Sequence, residues 1–162
     1  MFIPAVLAAA ALLPRAAAAQ HEGHAHDSSF HAMQERGKAV MGVDQYTSVH
    51  HFDDYDDGGR IALQAQEGDS AGIAGIRAHM KQIAVQFKSG DFRNPMAVHQ
   101  ELPPGATTMA ARRDRITYTY RELPRGGEVR IRTRDPDAVR AVHEFLAYQR
   151  REHRTKAGND ER

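Results

Sequence analysis

Ten histidines and no cysteine set the chemistry open to this chain, because they leave imidazole as its strongest metal donor and exclude thiolate sites, disulfides and cysteine nucleophiles. Four of the ten stand within thirteen residues, in "HEGHAHDSSFHAM": His21, His24, His26 and His31. Imidazole suits copper, zinc, nickel and iron, and a dense histidine tract that also holds Glu22 and Asp27 has the composition of a metal-binding segment. A flexible tract must give up chain entropy to close around an ion, so its affinity is expected to be modest. The plainer alternative is a disordered spacer whose charge follows pH.

Ahead of the tract runs "MFIPAVLAAAALLPRAAAAQ", an apolar stretch followed by small residues that satisfy an A-x-A cleavage rule more than once. Residues 1–19 therefore read as a secretory signal peptide, which implies a periplasmic or secreted protein. The apolar run is shorter than the roughly 20 residues needed to cross a bilayer, and Arg15 interrupts it, so no membrane span is expected after cleavage. Cleavage after Ala18 would start the mature chain at Ala19-Gln20-His21. There the free amine, two backbone nitrogens and the His21 ring could surround an ion in a square plane, a geometry that selects Cu(II) or Ni(II). Cleavage one residue later would leave a glutamine terminus able to cyclise and lose that amine. The full chain has 22 basic and 21 acidic residues, and loss of Arg15 leaves 21 of each. A mature chain of about 140 near-neutral residues is one ordinary domain, with no electrostatic reason to expect nucleic acid as a partner.

Residues 20–42 are expected to be the flexible histidine segment and then a linker, or a first short helix, at "QERGKAVMG". The domain proper is placed at 43–153, with a disordered tail at 154–162. "VDQYTSVHHF" has strand composition, "DDYDDGG" makes a turn, and "RIALQAQ" alternates as a half-buried strand. Asp69 or Ser70 can cap a helix whose Ile73, Ile76, Met80, Ile83 and Phe87 recur at helical spacing, and Gly90 ends it. The long connection that follows is expected to be mostly loop, with a short extended piece at Met96 to His99. "RITYTYREL", "PRGG" and "EVRIRT" read as a hairpin, and Asp135-Pro136 starts a final helix. The order predicts an α+β domain: ββαββα, a four-stranded antiparallel sheet with two helices on one face.

That architecture sorts the remaining histidines. A period of two places His50 on the same side of its strand as core residue Phe52 and sends His51 to the other side. His79 and His143 border the apolar stripes of their helices, so His50, His79 and His143 could converge between sheet and helices, with His99 or Met96 arriving from the connection. A thioether in such a set would tilt the choice toward reduced copper. His153 is placed near the exposed end of the last helix. The opposite sheet face would carry Arg121, Arg130 and Arg132 among threonines, a cationic surface suited to an anionic ligand or an envelope partner protein. "DDYDDGG" lacks the oxygen spacing of a calcium loop and reads as a turn. There is no HExxH, GxSxG, phosphate-cradling loop or nucleotide fingerprint.

The blocks "MGVDQYTSVHHF", "IRAHMKQIAVQFKSGDF", "PPGATTM" and "RGGEVRIRTRDPDAVRAVHEFLAYQRREH" resemble those of a set of small, usually exported bacterial proteins that have no established activity. The resemblance spans roughly residues 35–153 and implies one domain in a bacterial envelope. It transfers no site residue. The leading functional expectation is an exported, non-enzymatic protein that binds or buffers a late transition metal through histidines, copper first and then nickel or zinc. A binding module using the cationic sheet face is the alternative, and a metal-dependent enzyme comes third.

Overall fold

A computed structural model describes residues 16–42 and 44–155, with side chains described from Ser28 onward and excepting Gln45. Residues 1–15, most of the expected signal peptide, the side chains of Ala19, Gln20, His21, His24 and His26, and residues 156–162 lie outside the described residues. Helix α1 spans Ala16–Met41. Strands β1 (Ser48–Tyr55) and β2 (Gly58–Ala65) form a hairpin, followed by α2 (Ser70–Lys88), the short helices α3 (Arg93–His99) and α4 (Ala106–Ala111), the hairpin β3 (Ile116–Leu123) with β4 (Gly126–Thr133), and α5 (Pro136–Glu152).

The fold is α+β, with one antiparallel sheet in the order β1-β2-β4-β3. The second strand of each hairpin pairs with the other at the centre, Ile61 opposite Val129 and Leu63 opposite Gly127. Alternation sets which face of the sheet is buried. Phe52, Ile61, Leu63, Ile116, Val129 and Ile131 are all buried in one core with residues of α2 and α5, whereas Thr117 and Thr119 stay exposed. Helix α2 packs against β2, β3 and β4, and α5 against β1, β2 and β4.

Local chemistry sets the helix ends. Asp69 accepts a hydrogen bond from Gly72 N at 2.8 Å and caps α2. Asp135 accepts from Asp137 N and Ala138 N ahead of Pro136, and caps α5. Gly105 sits at φ 81 with its missing Cβ directed at Ala141 O, so α4 meets α5 more closely there than any side chain would permit.

Two stretches differ from expectation. The connection 91–109 is not mainly loop, and Met96 to His99 is helical rather than extended. Asp91 accepts from Arg93 N, Pro95 lies in the first turn, and Pro95 and Val98 are buried, which together favour about two turns of helix. The second stretch is 20–42: "QERGKAVMG" takes the helical alternative to a linker, and helix α1 also runs back to Ala16 through the segment expected to be flexible. Met33 and Gln34 are buried there, and Arg36 Nε donates to Val98 O at 2.7 Å, tying α1 to α3. Among the described residues, no helix is long and apolar enough to cross a membrane.

Candidate functional site

Four histidines from four different elements line one cavity of about 70 Å³: His50 on β1, His79 on α2, His99 at the end of α3 and His153 just past α5. Each is placed by a local rule. His50 lies opposite Leu63 and two residues before Phe52, so the strand's alternation turns it inward and leaves His51 half-buried on the other side. His79 follows Ile76 on the buried stripe of α2. His99 ends α3, and Gln100 then takes a left-handed conformation at φ 61. His153 continues the stripe Val142, Phe145, Leu146, Gln149 of α5 by one more turn.

The rings form a chain through the cavity wall. His153 stands with its ring centroid 5.4 Å from that of His50 and 5.2 Å from that of His99. His50 stacks on Phe52 at 6.2 Å. Around them the wall is apolar, with Ile61, Leu63, Met80, Phe87 and Phe145, while Val40 and Met41 of α1 contribute to it from outside the sheet layer.

Burial holds these imidazoles neutral. Desolvation, with smaller repulsion from His79 and His51, lowers the His50 pKa to about 4, and desolvation alone lowers His79 to about 4. Desolvation also depresses His99, against the opposing pull of its bond to Gln149 and of the Glu152 and Glu101 carboxylates. His153 lies well below the ordinary histidine range, first through burial and then through the charges of His50 and His99. Neutral imidazole is the form that binds metal.

Two nitrogens in this group are buried without a partner among the described residues: Nε2 of His50 and Nδ1 of His153. An unpaired buried polar atom costs about 1–3 kcal/mol. His99 Nε2, by contrast, is paired at 3.1 Å with Gln149 Oε1, whose own amide nitrogen is then left unpaired. Among the described residues no group of three or more His, Cys, Asp or Glu side chains is posed to hold a metal ion. The chemistry available is therefore that of two unpaired, neutral imidazole nitrogens on rings that line a largely apolar pocket, with His79 and His99 beside them.

The chain matches no family model, no curated protein and no solved structure. Its site must be read from its own geometry.

Of the metal candidates expected from the sequence, His50, His79 and His99 share the cavity and His143 does not. His143 Nε2 lies 2.9 Å from Tyr55 O and 3.0 Å from Gly58 O, so it donates to the β1–β2 turn and ties α5 to it. One and a half turns of α5 separate it from Gln149 at the cavity. Met96 is exposed and is not part of the wall. His31 is exposed on α1, with Nδ1 2.7 Å from the Tyr46 hydroxyl. His153 is the residue that sequence reasoning misplaced: it is buried, not near an exposed end. Its i+7 relation to Leu146 could have shown this, but the polar Gln149 and Arg150 between them obscure the stripe.

The cationic sheet face is also different in character from the open arginine surface expected. Arg60 pairs with the buried carboxylates of Asp53 at 2.6 Å and Glu128 at 3.4 Å, and Arg121 lies 4.0 Å from Glu128. Arg130 is largely buried, donates to Gly59 O at 2.8 Å and to Asp57, and stacks on the Tyr55 ring, while Arg132 lies 3.5 Å from the same Asp57. The face is a row of internal ion pairs. Arg130→Gln should accordingly lower stability by about 1–3 kcal/mol, because it removes a charged donor from a buried carbonyl, whereas Arg132→Gln at an exposed pair should cost under about 1 kcal/mol. Urea denaturation of the two single variants checks this, and equal small effects would contradict the structural role of Arg130.

Proposed function

We propose that this protein binds a late transition metal, with copper the first candidate, through the histidine-lined cavity, and that the amino-terminal tract is at most an auxiliary ligand segment. The observation that carries this reading is the pair of unpartnered buried nitrogens, His50 Nε2 and His153 Nδ1, on rings whose centroids are 5.4 Å apart. Two imidazoles bound to one ion at about 2.0 Å and a tetrahedral angle bring their ring centroids roughly 5 Å apart. The centroid separation matches that distance, and the two rings, which lie stacked at an interplanar angle of 29°, would turn about their side-chain torsions to aim both nitrogens at one ion. Binding would also satisfy the two atoms that the cavity otherwise leaves unpaired. Export of the mature chain, read from residues 1–19, belongs to the same proposal.

A single pair of full-length variants tests it. With His21, His24, His26 and His31 replaced by glutamine, the protein should still bind one equivalent of copper and gain thermal stability by mass action. Adding His50→Leu and His153→Leu should abolish both the bound metal and the gain, while leaving far-ultraviolet circular dichroism unchanged. Loss of all metal with the tract substitutions alone, or retention of it in the leucine variant, would assign binding to the tract or to another site.

A further inference from the structure

The wall of the cavity restricts the charge of the ion it can take. Seventeen residues line it, and among them are four histidines and two methionines, Met41 and Met80, but no aspartate or glutamate. Bringing an ion into a largely apolar, partly open pocket costs solvation energy that grows with the square of its charge, so a divalent ion meets about four times the penalty of a monovalent one. Neutral imidazoles and thioethers supply no negative charge to offset it. The carboxylates whose charge reaches His99 belong to Glu152 and Glu101, which are outside the wall. Glu152 is engaged with Arg151 at 3.2 Å, and Glu101 accepts from the Tyr148 hydroxyl at 2.6 Å.

Donor type and donor number agree with that restriction. Thioether sulfur is a soft ligand that favours Cu(I) over the harder divalent ions. A closed-shell monovalent ion accepts few donors, and the two unpaired imidazole nitrogens, with His79 as a third ring on the wall, supply them without disturbing the His99–Gln149 hydrogen bond. Zn(II), in contrast, takes four ligands in structural sites and commonly draws a carboxylate or thiolate among them.

We infer that the cavity is a site for a soft monovalent cation, Cu(I) in a biological setting, held between His50 and His153 with the Met80 sulfur available as a further donor. This rests on the metal-binding reading above and narrows it to charge and softness. No electron transfer is involved: the ion enters already reduced and leaves in the same state.

Full-length protein carrying the four tract substitutions is titrated, without oxygen, with Ag(I) as a redox-inert stand-in, with Cu(I) presented by a competing chromogenic chelator, and with Zn(II) and Ni(II). The readouts are melting temperature and the NMR signals of the His50 and His153 rings and the Met80 methyl group. Ag(I) and Cu(I) are expected to shift all three signals and to bind at least about 100-fold more tightly than Zn(II). Met80→Leu, a volume-conserving change that keeps the core filled, should weaken Ag(I) roughly tenfold and leave Zn(II) unchanged. Zn(II) or Ni(II) occupying the cavity as tightly as Ag(I), or Ag(I) affinity unaltered in Met80→Leu, would overturn the monovalent assignment while the broader metal reading stood. If none of the four ions perturbs His50 or His153, both fall together.

Discussion

Lowering the pH from about 6.5 to about 4 should strip several kcal/mol of folding stability from the metal-free protein. The sign follows from the two buried histidines whose folded values are displaced to about 4 from an unfolded value of 6.5. Between those limits the unfolded chain binds protons that the native cavity refuses, so stability is present above pH 6.5 and declines as pH falls. Each of His50 and His79 accounts for about 3 kcal/mol at the acidic end, and His99 and His153 shift in the same direction. The depressed carboxylates act in a different window. Asp91, held at about 2 by its hydrogen bonds from Arg93, loses its contribution only as pH falls below the ordinary aspartate value of 3.8. Urea titrations at closely spaced pH values measure the slope, and His79→Leu isolates one share of it. That variant should match the wild type near pH 7 and exceed it near pH 4.5, and parallel stability curves would contradict a buried neutral His79.

The same linkage joins folding to the proposed binding. An ion on His50 and His153 occupies nitrogens that a proton would otherwise seek, so acid should both release the ion and loosen the cavity that held it. Release need not involve a dedicated gate, because protonation acts on the ligands and on the packing around them together.

How much of this was legible in the sequence depends on whether a local rule or a tertiary contact decides each feature. Both hairpins, the Asp69 and Asp135 caps and the buried stripe of α2 follow from period and turn chemistry within a few residues, and the structure has them with Ser48–Tyr55, Gly58–Ala65, Ile116–Leu123 and Gly126–Thr133 as strands. His50 could be turned inward from its place two residues before Phe52 alone. The helix α3 was less visible, since its seven residues include Pro95 and depend on burial of Pro95 and Val98 for stability. His143 and His153 show the limit best. His143 lies on α5 and His153 just past its end; both border apolar residues, and apart from the i+7 relation of His153 to Leu146 their spacing does not separate the one that faces the cavity. That is settled by the angle at which α5 crosses the sheet, and Arg150 helps to set it by donating to Phe52 O at 2.7 Å and to the Asp54 carboxylate. The arginine face was misjudged for a related reason: side-chain alternation identifies a polar face but not that Asp53, Asp57 and Glu128 neutralise it from within.

Phe145 is the side chain on which the largest single loss should fall. It is 1 % exposed, meets Phe87 edge-on at 5.7 Å and Phe92 at 5.9 Å, and forms part of the cavity wall. Phe145→Ala removes the ring from the junction of α5, α2 and the sheet and should cost about 4 kcal/mol, a transfer loss plus the cavity that rigid neighbours cannot close. Its position predicts a second, more specific result. The vacated space joins the existing cavity of about 70 Å³ and is bounded by Phe87, Ile83 and Leu63, so it should admit a ring of roughly benzene size. Saturating indole or benzene should then recover part of the lost stability by mass action in Phe145→Ala and none in the wild type. Phe145→Leu, which leaves a smaller void, should lose roughly 1–2 kcal/mol and respond weakly to the same solutes. Thermal denaturation with and without the solute distinguishes an enlarged, intact cavity from general unfolding, since only the intact cavity restores stability to one variant and not the other. A loss under about 1 kcal/mol in Phe145→Ala would mean that α5 does not seal the histidine cavity from that side.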